Sequence, residues 1–431
     1  MSVLLVRVGK WVVWVSVVMA ALTAVVTLAQ DAADSPLLAL LGRVPDLPGN
    51  RAFTTYVDRA AIEAAYPGTR APADWAEFMA MNDAEGSDPD LLPVEVWWRV
   101  FMNMAVPTAS SFGEGERMPE VMGFDYFAID RELFYGTPPA AGLILQGEFD
   151  EDAVRAALEA REYTASGELW CGPVGCDGGT ETNLREIERS NLFGGELGRQ
   201  QPVSIMDDVL MSSPSLEQVE GYLDATNGDA ESLADDPRYQ AAVGAVSELG
   251  MILQASIVDG EYLLSDASAI MMLPEQRAAD IPQDFQTIAP YSLMLIADVA
   301  SEDEQIGVAA FVYGDTATAE AAVAEMTRRL KTLNSLRTAQ PYADLLEDRY
   351  ATVKTQVVER DGLAVALVLL TTPEATVEQI VQFNPFTDPD DLPPVTAPGL
   401  LYRLLLSMVQ ARDDLWYSTV PREVMEELVD G

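Results

Sequence analysis

The sequence predicts an α+β fold: two related domains, each an antiparallel sheet covered by helices, following an N-terminal apolar helix. Three observations carry this. A strand, then an acid or hydroxyl cap, then an amphipathic helix recurs in both halves, as GLILQGEFDEDAVRAALEA and IGVAAFVYGDTATAEAAVAEM show. The apolar runs 352–358 and 363–371 are separated by Glu359-Arg360-Asp361-Gly362, and Asp-Gly specifies a tight antiparallel hairpin. The 431 residues, 49% of them hydrophobic, suffice for a sizeable core and suggest two domains.

The N-terminus is a targeting segment. Arg7 and Lys10 precede residues 11–29, a run of 19 without a charge, close to the ~20 that span a bilayer as a helix. Positive charge ahead of an apolar run keeps the N-terminus in the cytoplasm and sends the remainder across. Thr27-Leu28-Ala29 before Gln30 forms a signal-peptidase site. The length of the run, with Trp11 and Trp14 at one end, suits a retained anchor. Both readings, cleaved signal peptide or anchor through residues 11–29, place the body outside the cytoplasm, in the periplasm or at the cell surface. Residues 30–50 hold three prolines and little periodicity, and read as a linker.

Residues 51–275 form the first α+β domain. Val94, Trp97, Trp98, Phe101, Met102 and Ala105 follow helical spacing and read as a core-facing aromatic stripe. Residues 142–149 read as a strand, after which Asp150 caps a helix to about Tyr163. Residues 202–211 read as one strand. Ser213-Pro214 opens a helix, and Asp236-Pro237 repeats the device before 238–249. Gly250 ends that helix and 251–258 is a further strand.

Residues 285–431 form the second domain. Here 291–298 and 306–313 are strands, and Asp315 caps a helix with Val323, Met326, Leu330 and Leu333 on its apolar face. The 352–371 hairpin follows, then a helix opened by Thr372-Pro373, then a last apolar face of Leu400, Leu401, Leu404, Leu405, Met408 and Val409.

Charge and composition exclude whole classes of function. There are 69 acidic against 26 basic residues, a net charge of -43, and no basic footprint for nucleic acid. Such a surface suits cationic partners or divalent ions, and otherwise keeps the protein soluble and monomeric. The chain has no histidine, which removes Ser-His-Asp and Cys-His catalysis, histidine-bound zinc and the usual base near neutral pH. No phosphate-binding loop is present: FGEGERM at 112–118 lacks the last glycine of the dinucleotide motif. Acidic clusters at Asp83, Glu85, Asp88 and Asp90, and at Asp388, Asp390 and Asp391, do not fit a calcium loop and read as solvated turns. Lys331 and Lys354 fall inside predicted elements, at surface positions.

Cys171 and Cys176 lie in LWCGPVGCDGG. Outside the cytoplasm, two cysteines in a Gly/Pro loop are expected to form a disulfide. Zinc would need further soft ligands, and the chain has neither another cysteine nor a histidine.

Three stretches together carry a resemblance: FDYFAIDRELFYGTPPAAGLILQGEFDEDAVRAALEA, LWCGPVGCDGG and SLADDPRYQAAVGAV. Over roughly residues 120–260 the chain resembles uncharacterised exported proteins and lipoproteins of bacteria. The resemblance implies export and no site, and this chain lacks the lipidated cysteine of the lipoproteins.

The expectation is an extracytoplasmic, non-enzymatic accessory or binding protein of the cell envelope, whose partner is another envelope protein. The alternative is a carboxylate-dependent hydrolase of envelope polymers, which would need two acids roughly 5–10 Å apart across a cleft. The sequence assigns no catalytic residue, no cofactor, no metal ligand and no oligomeric state.

Overall fold

A computed structural model describes residues 35–83, 88–263, 282, 285–382, 396–411, 413 and 415–419. The expected signal or anchor at 11–29 lies outside the described residues, as does the cluster Asp388, Asp390 and Asp391. No helix among the described residues is long and apolar enough to cross a membrane.

The fold is α+β, built on one antiparallel sheet. Its strands are β1 (Phe53–Asp58), β2 (Ile129–Tyr135), β3 (Gly142–Gly147), β4 (Thr164–Ser166), β5 (Leu169–Cys171), β6 (Val203–Met206), β7 (Val209–Ser212), β8 (Met251–Asp259), β9 (Leu293–Ala300), β10 (Glu304–Tyr313), β11 (Thr352–Arg360) and β12 (Leu363–Pro373). Their spatial order is β11-β12-β10-β9-β8-β1-β2-β3-β7-β6-β5-β4. The sheet runs unbroken from one expected half to the other through the pairs β9–β8 and β8–β1.

That order exposes the internal relation seen in the sequence. In the second half a hairpin β9–β10 leads into a helix, and a hairpin β11–β12 returns so that β12 lies beside β10. In the first half a hairpin β2–β3 leads into a helix, and a hairpin β6–β7 returns so that β7 lies beside β3. The central strands β1 and β8 each lead into one of these units and pair with each other, so the halves meet back to back. The first half carries the extra hairpin β4–β5, which extends the sheet beyond β6.

Helices cover both faces. They are α1 (Pro36–Leu41), α2 (Pro48–Arg51), α3 (Ala60–Ala65), α4 (Trp75–Asp83), α5 (Leu92–Phe101), α6 (Met118–Met122), α7 (Glu151–Ala160), α8 (Leu216–Asn227), α9 (Pro237–Ser247), α10 (Gly260–Leu263), α11 (Thr316–Thr332), α12 (Tyr342–Glu347), α13 (Val377–Gln382) and α14 (Leu400–Gln410). On one face α1, α8 and α9 pack on Tyr56, Leu133, Ala255, Leu295, Val308 and Leu367. Helix α9 is rich in alanine and glycine (PRYQAAVGAVS) and buried along most of its length, since small side chains let it lie close to the sheet. On the other face α11, α12 and α14 cover the second half. Helices α3 to α7 cover the first half around Trp97, Phe101, Tyr126 and Phe127.

Several boundaries differ from the sequence reading, each for a local reason. Residues 35–50, expected to be linker, include two short helices, and Leu37, Leu40, Leu41 and Val44 are buried in the core. The single strand expected at 202–211 is the hairpin β6–β7, because Asp207 adopts φ 53° and turns the chain. Helix α8 begins after Ser215 rather than at Pro214, since Ser213 Oγ bonds the Ala141 carbonyl and caps Ser215 N–H. Thr372 and Pro373 complete β12 rather than opening a helix, and Thr376 with Gln379 starts α13 instead. The FGEGERM stretch belongs to a 3-10 helix at Ala109–Arg117, in which a Cβ at Gly115 would sit 2.5 Å from the Trp75 ring; that glycine serves packing.

Candidate functional site

Three places gather side chains that a stable fold does not explain by itself. The first is the loop after β5. Cys171 and Cys176 are disulfide-bonded, with Cα atoms 4.7 Å apart, and Gly175 between them takes the left-handed φ of 85° that closes so small a ring. Beyond the ring the chain folds on itself up to β6. The Phe193 side chain is fully buried and anchors it, and Asn191 Oδ1 accepts from Phe193 N–H at 3.0 Å. Glu188 N–H bonds the Gly195 carbonyl and Arg199 N–H the Gly194 carbonyl, both at 2.9 Å. A Cβ at Gly198 would lie 1.8 Å from the Asn183 carbonyl oxygen, so the two arms of the loop touch there. Glu188 is ion-paired with Arg117 at 2.8 Å. Burial opposes its ionisation, but Ser190 and Arg117 hold its carboxyl below the usual range.

This well-bonded loop holds aliphatic side chains in water. Leu184 is 67% exposed, and Val174, Ile187 and Leu197 are exposed as well. Single exposed aliphatics are ordinary, but here four fall in one stretch of chain, with Arg185, Arg189 and several glutamates along it.

The second place lies over the middle of the sheet, where the covers of the two halves meet. Asp298 of β9 stands in register with Gln254 of β8 on one side and Gly307 of β10 on the other. Gln254 Nε2 donates to Asp298 Oδ2 at 3.2 Å, and Gln254 Oε1 accepts from Ala105 N–H at 2.8 Å. A Cβ at Gly307 would sit 2.7 Å from Leu401, so α14 presses directly on the sheet beside the carboxylate. On the same face Ser256 of β8 and Tyr402 of α14 form a hydroxyl pair, 2.9 Å apart. Burial pushes the Asp298 carboxyl up to about 7, with the Gln254 bond opposing it only in part.

The third is a groove of about 520 Å³ between residues 286–289 and the start of α11, lined by Thr287, Ile288, Ala317, Thr318, Ala321 and Glu325. Beneath it Arg329, fully buried, donates to the carbonyls of Gln286, Leu415 and Ser418, and stacks over Phe285 at 4.4 Å. The groove's one carboxylate, Glu325, is paired with Arg328 at 2.7 Å and Arg329 at 2.9 Å. Arg328 first holds it below the usual range, against some burial. Such a carboxylate stays ionised, and the raised carboxyl of Asp298 does not line this groove. The two acids of the hydrolase alternative are therefore not brought together there.

Among the remaining sequence candidates, Asp88 and Asp90 form a turn in which Asp88 Oδ1 accepts from Asp90 N–H at 3.0 Å. Lys354 pairs with Glu304 at 2.7 Å on the surface, and Lys331 is exposed on the last turn of α11. No group of three or more histidines, cysteines or acids that could hold a metal ion occurs among the described residues. Asp298 went unnoticed in the sequence reading, although it carries a signal: an acid near the end of the apolar run LMLIADVA, in a strand covered on both faces.

No family model matches the chain, and no curated protein does. Among solved structures, crystal form III of TP0453 is similar at 10% identity and a TM-score of 0.31, over 79% of this chain and 95% of that one. Crystal form I of TP0453 gives 12% identity and a TM-score of 0.31, over 79% and 94%. At that TM-score the likeness carries no inference about activity or partner.

Proposed function

We propose that this is an exported, non-enzymatic protein of the cell envelope that docks on another envelope protein through the loop between β5 and β6. The observation that carries the reading is the set of exposed aliphatics, Leu184, Ile187 and Leu197 with Val174, on a loop made rigid by its own hydrogen bonds and by a disulfide. Rigid presentation lowers the ordering cost of binding. A protein partner fits better than an anionic lipid surface, because the body of the chain carries 69 acids and would be repelled by lipid phosphates. Export is supported by Arg7 and Lys10 ahead of the uncharged run and agrees with a disulfide, which persists outside the cytoplasm.

A photo-reactive amino acid at Ile187, introduced in cells of the native host, tests the docking surface. A discrete protein adduct is expected. It should disappear when Leu184→Glu and Leu197→Glu are added, while far-UV circular dichroism and thermal melting stay unchanged. No protein adduct, or one indifferent to the two glutamates, overturns the reading. An alkaline phosphatase fusion after Ala60 tests export independently: an inactive fusion, with an active cytoplasmic reporter at the same point, overturns that part.

A further inference from the structure

Asp298 is nearly inaccessible, 4% exposed, and among the described residues receives one hydrogen bond, from Gln254. A buried carboxylate with a single amide donor and no cation beside it is poorly compensated when ionised. The elements around it supply no countercharge. From β8 come Gln254 and Ser256, both neutral. From β10 comes Gly307; that strand's Glu304 is engaged at the surface by Lys354. From α14 comes Tyr402, whose hydroxyl burial holds protonated well above its ordinary value, with the Ser256 bond opposing and Asp298 adding a smaller push upward. Tyr66, beyond the end of α3, is likewise raised by burial, by Asp298 and by Glu374. Glu374 adds a further acid, itself raised by burial and Asp303. Arg403 is exposed and donates to Asn103 Oδ1 at 3.4 Å. On α5, Arg99 is held by Glu95 at 2.7 Å.

Part of the cover over this carboxylate is the first turn of α14 and the turn at 102–105, and both converge on Gln254. Ala105 N–H donates to its Oε1, and a Cβ at Gly399 would lie 3.3 Å from its Nε2. Gly399 also abuts Asn103, with 3.0 Å from its built Cβ to the Asn103 Cβ, so the two parts of the lid touch each other. Parting α14 from that turn, or lifting it from Gly307, would open a way for water to the carboxylate.

We propose that Asp298 is a proton-operated latch between the two halves: the protonated acid lets α14 and the 102–105 turn close over β8 and β9, and ionisation loosens them. The step is a proton transfer from the carboxyl group to bulk water, and the carboxylate then recruits water through the loosened lid. An exported protein meets the pH of its surroundings directly, so the latch would make the contact between the halves follow external pH.

Hydrogen–deuterium exchange of the full chain tests this, comparing about pH 5.5 with about pH 8.5 after correction for intrinsic exchange. Protection in residues 400–410 should fall with rising pH roughly tenfold or more beyond any fall in α11 at 316–332, with a midpoint near neutrality. In Asp298→Asn the fall should be absent. Should that variant fail to fold, the wild-type titration decides alone. A fall shared equally by α11, or no fall in 400–410, overturns the latch, and so does an unchanged fall in a folded Asp298→Asn protein.

Discussion

Asp150 and Asp315 hold equivalent places in the two halves of the sheet. Each follows the second strand of a hairpin, and each turns its carboxylate back on the free N–H groups of the helix that crosses to the next hairpin. Asp150 accepts from the N–H groups of Asp152 and Ala153, and Asp315 from that of Thr318. Replacing Asp150 with alanine is expected to cost roughly 1 kcal/mol. At Asp315 the carboxyl is held below its usual range by the Thr318 backbone and hydroxyl, so its contribution is present above that range and lost as pH falls through it. Urea unfolding of each alanine variant checks both, and an unchanged midpoint for either would remove its cap from the account.

Those caps were legible in the sequence because capping is local: an acid, then a helix, within four residues. Asp361-Gly362 was legible for the same reason, both residues taking the positive φ that the turn requires, 52° and 79°. The order of the sheet was not. The pairing of β1 with β8 joins residues about 200 apart, and nothing local in FTTYVD names MILQASIVD as its neighbour. The β6–β7 turn was missed because Asp207-Asp208 lacks a glycine, and Asp207 pays the cost of positive φ with its own short polar side chain. The exposed aliphatics of the loop between β5 and β6 were hidden for another reason: whether Leu184 or Phe193 of that loop is buried is a tertiary fact.

Arg59 and Glu132 make a second test, since neither side chain is more than 2% exposed. Thr108 N–H and Oγ1 donate to Glu132 Oε2 at 3.1 and 2.8 Å, and the guanidinium lies over the Tyr126 ring at 4.3 Å. Removing one partner strands the other charge in the core. Glu132→Ala is therefore expected to cost roughly 3–5 kcal/mol, whereas the pair Arg59→Met with Glu132→Leu, similar in volume, should cost less than that single change. Guanidinium unfolding of the three proteins decides. A double variant less stable than Glu132→Ala would mean that the bonds from Thr108 and the stacking on Tyr126 matter more than the pairing.

Loss of the disulfide should be mild. Cys171 and Cys176 are five positions apart, and closing so short a ring stabilises by about 2 kcal/mol on the loop-entropy argument. Replacing both with serine should lower stability by about that amount and leave the sheet intact, because Leu169 and Phe193 remain to anchor the loop. Thermal melting by circular dichroism measures the first part. Intact mass under denaturing, non-reducing conditions, with alkylation, measures the bond itself, and two free thiols in freshly isolated protein would contradict it.

The pH dependence of stability follows from opposing carboxyls. Glu77 is held down to about 2, chiefly by Arg70 and against slight burial, and Asp236 and Glu325 are also below their usual range. Groups of this kind contribute stability above the unfolded-state value near 4, which is lost as pH falls through their folded values. Glu77 is partly exposed, so its share is small. Asp298 has the opposite sign. Its folded value, about 7, lies above the ordinary 3.8, so its contribution is full below about 4 and is lost as pH rises from there to about 7. Three units at ~1.4 kcal/mol each set a scale of roughly 4 kcal/mol. The net charge of -43 adds self-repulsion in the same direction as carboxyls ionise. Stability is thus expected to peak on the acid side of neutrality and to decline towards pH 8. Self-repulsion is common to wild type and Asp298→Asn, so the difference between their urea midpoints isolates the one carboxyl: the variant should gain relative to wild type as pH rises from about 4 to 7, and then run parallel to it. A difference that is flat across that range would show that Asp298 ionises in the folded protein as it does in water.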